Sequence, residues 1–168
     1  MTVRQIELIV RNYEQGYQRQ SWHGTNLRGS IRGLTPEAAA WRPGPERHNI
    51  WEIVVHAAYW KYAVRRRLTG EKRGSFPLAG SDWFERPEIE SESAWKKDRA
   101  LLDEMHRSLR EVIEGLDAES LMDSPPGGKT TRFELLSGIA AHDLYHAGQI
   151  QLIKRLYESG GSARAETR

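Results

Sequence analysis

A chain of 168 residues with 38% hydrophobic and 29% charged residues is long enough to bury one core and too apolar to stay disordered. It has no cysteine, which excludes disulfides, thiolate metal sites and a nucleophilic thiol of its own, and a formal net charge of only +2 excludes a cationic face that would steer nucleic acid. No apolar run approaches the roughly 18 residues of a membrane span, and the start Met1-Thr2-Val3-Arg4-Gln5 lacks an apolar leader, so a cytoplasmic setting without membrane contact is expected.

Val3, Ile6, Val10, Tyr13 and Tyr17 recur at three- and four-residue steps, which predicts a first helix ending near Gly16. After Trp22-His23-Gly24, the spacing of Leu27, Ile31 and Leu34 predicts a short helix. Thr35-Pro36-Glu37-Ala38 reads as an N-cap with proline in the first turn, so a single helical turn follows before Gly44-Pro45 breaks the chain. The second long helix is predicted from about Asn49 to Leu68, with Ile53, His56, Trp60 and Val64 on its inner stripe and Thr69-Gly70 as its stop. Arg65-Arg66-Arg67 sits at its end, where cations complement the helix dipole and remain solvated.

A long connection from Gly70 to Glu90 reads as a crossover, and its Trp83 and Phe84 either cover a site like a lid or pack on the helices. The third long helix is predicted from Ser91 or Ser93 to Gly115, with Trp95, Leu102, Met105, Leu109, Val112 and Leu116 on one face. The fourth opens on the capping box Thr131-x-x-Glu134 and continues to about Tyr157, its inner stripe being Leu135, Ile139, His142, His146, Ile150 and Ile153. No segment alternates with period two. The expected fold is all-α, an antiparallel helical bundle as one domain over 1–158 with a flexible tail over 159–168.

Three histidines stand where aliphatic residues belong. His142 and His146 are four residues apart, so their imidazoles share one helix face one turn apart, the spacing two ligands of one metal require. His56 lies on the inner stripe of another helix. Burying an unsatisfied imidazole costs about 1–3 kcal/mol, which either a metal ion or a hydrogen-bonded polar core would offset. Three imidazoles without a carboxylate match the ligand set of a catalytic zinc site that leaves one position open. His106 falls off the inner stripe of its helix and is expected to be exposed, His48 is expected to serve near a helix start, and His23 is expected to be structural.

Around these, Glu52 is one turn before His56 and is the candidate general base, although a carboxylate in the first turn of a helix is more often ion-paired or solvated. Asp143 directly follows a candidate ligand, which turns it away to pair with a neighbouring helix. Gln149 is placed to point at the site or to tie a ligand in position, and Trp60 and Tyr145 either shape a pocket or belong to the core.

Trp22-His23-Gly24, Leu34-Thr35-Pro36-Glu37, Arg42-Pro43-Gly44, His48-Asn49-Ile50-Trp51-Glu52-Ile53-Val54-Val55-His56 and His142-Asp143-Leu144-Tyr145-His146-Ala147-Gly148-Gln149-Ile150 together resemble the DinB family of DinB/YfiT-like metalloenzymes. The last segment, His-x-x-x-His followed by Gly-Gln, is the most specific. The resemblance implies a four-helix bundle in an up-down-down-up arrangement, a homodimer, and a zinc or nickel ion held by His56, His142 and His146. It also implies a metal-dependent enzyme acting on a small molecule. The foremost expectation is a transferase that uses a low-molecular-weight thiol such as bacillithiol, mycothiol or glutathione. The alternatives are a hydrolase using activated water and a non-catalytic, metal-stabilised stress or binding protein. No nucleic-acid partner is expected.

Overall fold

The computed structural model describes residues 2–165 of the chain, and the side chains of 4–160. In chain order the helices are α1 (Thr2–Tyr17), α2 (Leu27–Ser30), α3 (Pro36–Ala40), α4 (Ile50–Thr69), α5 (Glu92–Glu114) and α6 (Arg132–Ala165), with a 3-10 turn over Ala118–Met122 between the last two. The described residues contain no strand, so the fold is all-α.

Local chemistry sets the boundaries. Asn49 opens α4 with a full capping box: its carboxamide oxygen accepts the Glu52 amide at 2.8 Å, and the Glu52 carboxylate accepts the Asn49 amide at 3.4 Å. Gly70 ends the same helix in the left-handed conformation, φ 75°. Ser91 caps α5, and Thr131 and Glu134 exchange side-chain and backbone contacts at the start of α6, as their spacing predicted. α2 stops at Ser30, short of the predicted Leu34, because Gly33 takes φ +73° and turns the chain away. α6 runs past the expected end at Tyr157: Gly160 and Gly161 lower helix propensity by about 1 kcal/mol each without forbidding the conformation. Residues 166–168, part of the tail expected to be flexible, lie outside the described residues.

The buried apolar side chains fall into two clusters. One gathers Ile50, Trp51 and Val54 of α4, Trp95 and Leu102 of α5, and Ile150 and Ile153 of α6. The other gathers Tyr13 of α1, Val64 and Leu68 of α4, Leu109 and Ile113 of α5, and Leu135, Leu136 and Ile139 of α6. α4 and α5 therefore both run from the first cluster toward the second, whereas α1 and α6 run the opposite way. That shared direction is why the link from α4 to α5 is long: the chain must return the length of the helix before α5 begins. α1 packs on α6 closely enough at Gly16 that a Cβ there would lie 2.9 Å from the Ala140 carbonyl oxygen.

Between the clusters α4 and α6 carry polar residues instead. His56 and Lys61 of α4 and Asp143 and His146 of α6 are buried, with His142 half-buried beside them. Such a layer is costly unless every member finds a partner. Its partners define the site.

Candidate metal centre

α4 and α6 run antiparallel through this layer and bring three imidazoles to one point. The Nε2 atom of His142 lies 3.2 Å from that of His56 and 3.1 Å from that of His146, and all three lie within 4.8 Å of one another. Four nitrogens at about 2.0–2.1 Å around a tetrahedral ion would stand about 3.3 Å apart, so the spacing suits a divalent metal.

Hydrogen-bond accounting points the same way. The Asp82 backbone carbonyl, which can only accept, lies 2.9 Å from His56 Nδ1, so that nitrogen carries the hydrogen and Nε2 keeps its lone pair. The Gln149 carboxamide oxygen lies 2.7 Å from His146 Nδ1 and fixes that ring in the same tautomer. His142 Nε2 thus faces two lone pairs and has one hydrogen at most to offer. Its Nδ1 is buried without a partner. One hydrogen cannot serve both facing lone pairs, whereas an ion accepting all three resolves the crowding at Nε2. His142 Nδ1 then carries the ring's hydrogen and keeps no partner among the described residues.

The surroundings keep the rings neutral. Burial pushes His142 down to about 3, helped by the neighbouring His146 and His56. Burial likewise takes His146 to about 4 against the opposing Gln149 contact, and lowers His56 against the pull of Asp82. Neutral imidazole is the form that binds a metal.

The crossover contributes more than a cover. Trp83 stacks flat on His56, centroids 3.8 Å apart and planes 11° apart, and its ring also stacks on His48 at 3.5 Å. Phe84 instead packs with Phe76 and Tyr59 in the first apolar cluster. Asp82, adjacent to Trp83, holds a positive φ of 66°, which is uncommon for a residue with a Cβ. Its carboxylate accepts the Trp60 indole N–H at 2.8 Å and lies 3.3 Å from His56 Nδ1. Sequence reading missed Asp82. Its only signal is an acidic residue preceding Trp83 in a loop, and neither neighbour in sequence hints that it reaches a helix.

The other candidates sort by their partners. Glu52 is buried and engaged on both oxygens: Arg42 donates to each, and His48 Nδ1 lies 2.9 Å from Oε2. Burial alone would raise its carboxyl, but the Arg42 and His48 contacts outweigh that and hold it below the usual range. It clamps the start of α4 and seats the ring that backs Trp83. Asp143 turns away from the three imidazoles and pairs with Lys61, both fully buried, beneath the Tyr13 and Tyr17 rings. Tyr145 is exposed, with its ring edge-on to His146 at 5.1 Å. His23 is exposed and contacts Ser21. His106 corrects its expectation of exposure: it is 3% exposed, stacked against Tyr13 and Tyr17, with Nε2 3.0 Å from Glu14. α1 lies across that flank of α5, so a residue off the inner stripe is buried from the other side.

A family model described as DinB superfamily matches residues 20–150, most of the chain and all three histidines. No curated protein and no solved structure matches it.

Proposed function

We propose, for a chain that belongs to the DinB superfamily, that it is a metal-dependent enzyme whose divalent ion is held by Nε2 of His56, His142 and His146, and that it transfers groups onto the sulfur of a small thiol. The observation that carries this reading is the donor set: three convergent lone pairs and no carboxylate among them. A zinc or nickel ion bound there would retain its full dipositive charge and keep a thiol sulfur ionised at neutral pH.

The chain's own residues supply position and exclusion. Asp82 and Gln149 fix the tautomers and planes of His56 and His146. Trp83 shields one face of His56 from water, and Trp60 stands beside the rings of His56 and His142 at 6.3 Å from each. With no cysteine in the chain, the reacting sulfur comes from outside. The nearby carboxylates argue against base-assisted attack by water, because Glu52, Asp82 and Asp143 are each committed to other partners. The absence of cysteine and of any described helix long and apolar enough to cross a membrane supports a cytoplasmic setting as part of this proposal.

Metal analysis of the purified protein, followed by titration of the nickel-loaded form with glutathione, mycothiol and bacillithiol, tests the reading. One thiol should produce a sulfur-to-metal absorption band. Stoichiometric metal with no response to any thiol overturns the transferase and leaves activated-water hydrolysis, and an ion with no exchangeable position leaves a non-catalytic role.

A further inference from the structure

Arg66, Arg67 and Arg73 stand around one cavity of about 850 Å³ between α4 and the crossover. A space of this size suits a small molecule, whose pockets run from roughly 300 to 1,000 Å³. The rings of Tyr59, Trp60 and Phe76 supply apolar wall. Trp60 and Asp82 line the cavity and also border the imidazoles, so the two sites share a wall. Helical spacing explains the adjacency: His56, Trp60, Ala63 and Arg67 follow at steps of four, three and four along one face of α4. The Arg67 guanidinium lies 5.6 Å from the centre of the Trp60 ring, and that ring lies 6.3 Å from the rings of His56 and His142. One indole separates a cation from the three histidines.

The positive charge of the cavity has no counterpart in the fold. Glu71 pairs with Arg65 at 2.7 Å and offers Arg66 only its carbonyl. No carboxylate of the described residues forms an ion pair with Arg66, Arg67 or Arg73. Asp82, the acidic residue in the lining, is held by the Trp60 indole. Three like charges around one hollow repel one another, and an entering anion relieves that repulsion. The rim is also built in advance. The Tyr62 hydroxyl accepts the backbone amides of Gly74 and Ser75, each at 3.3 Å, which fixes the loop that carries Arg73.

We propose that this cavity seats the anionic body of the small thiol, with its carboxylate or phosphate oxygens on Arg67 and Arg73 and its apolar stem against Trp60, leaving the sulfur free to reach the three histidines. The inference rests on the thiol reading of that site and narrows it to a thiol bearing acid groups. Guanidinium forks match carboxylate and phosphate oxygens two at a time. Glutathione and bacillithiol carry carboxylates and coenzyme A carries phosphates, whereas mycothiol has neither.

Isothermal titration with S-methylated thiols tests the cavity apart from the metal, because a blocked sulfur cannot be held as thiolate. The full chain should bind the S-methyl derivative of glutathione, bacillithiol or coenzyme A, and that of mycothiol at least about tenfold more weakly. The first two report carboxylates and the third phosphates. Arg67→Gln/Arg73→Gln should weaken the preferred probe about tenfold with unchanged helical circular dichroism, both side chains being exposed. Lys72→Gln removes an exposed charge beside Arg73 but outside the cavity lining, and should leave the affinity as it was. Binding of none of the acidic probes at millimolar concentration overturns the proposal, and so does equal weakening by Lys72→Gln and by the arginine pair. The thiol reading fails separately: if the nickel-loaded chain gives no sulfur-to-metal band even with 2-mercaptoethanol, while the arginine variant still loses the acidic probe, the anion site stands and the thiol falls.

Discussion

Asp82 holds His56 from behind: its carbonyl oxygen lies 2.9 Å from His56 Nδ1 while its own backbone stands at φ 66°. A strained loop residue thus determines which nitrogen of a helical histidine faces the other two rings. The Asp82 carboxylate lies 3.3 Å from His56 Nδ1 and accepts the Trp60 indole N–H, so crossover and α4 are joined at the pocket wall.

Asp82→Ala keeps the carbonyl but removes the carboxylate, which lies 3.3 Å from His56 Nδ1 and also anchors the loop to Trp60. It should weaken metal binding toward the lower end of the roughly 10–100-fold cost of losing a group that orients a ligand. Asp82→Gly, which relaxes the backbone, should be the more stable of the two variants by about 1 kcal/mol. Chelator competition measures the first and urea denaturation the second. Parent-like metal affinity in both variants would show that the carboxylate does not position His56.

His146→Ala should abolish stoichiometric metal while leaving the helical content intact. The cation that raises the melting temperature of the parent should leave this variant unmoved. Elemental analysis and thermal denaturation report the two effects separately. Metal retained at one equivalent would remove His146 from the ligand set.

Acid should destabilise the metal-free protein through the same rings. His142 and His146 sit at about 3 and about 4 when folded, against about 6.5 when unfolded. A folded value below the unfolded one means the unfolded chain takes up protons first as pH falls. The stability these groups contribute is thus complete above about pH 6.5 and is lost on descent toward pH 4 and 3. Denaturation midpoints measured from pH 7.5 to 4 should fall across that window, and the fall should shrink in a His142→Phe/His146→Leu double variant.

Lys61 and Asp143 form an ion pair with both side chains fully buried. Burial presses the ammonium down and the carboxyl up from their usual values, and each opposes that change in the other. Lys61→Met strands the carboxyl and should cost about 3–5 kcal/mol, whereas Lys61→Met combined with Asp143→Leu should recover most of it. Equal losses in the single and double variants would show that the pair is not coupled.

The helices, their caps and the inner positions of His56, His142 and His146 were legible in the sequence because they follow from neighbours within a turn or two. The boundaries at Asn49 and Thr131 fall where side-chain acceptors reach only three residues along the chain, and the one at Gly70 falls where glycine takes the left-handed conformation. The histidines stood out because each occupied an aliphatic place in a repeat of three and four residues.

Contacts between distant residues were decided by the tertiary structure alone. His106 looked exposed on its own helix and is buried because α1, ninety-odd residues earlier, lies across it. Asp82 reaches His56 over 26 positions, and Lys61 meets Asp143 over 82. Helical periodicity says which way a side chain faces but not what stands opposite. That depends on how the crossover and α1 fold back over the bundle, where burial makes an unpaired polar group too costly to leave alone.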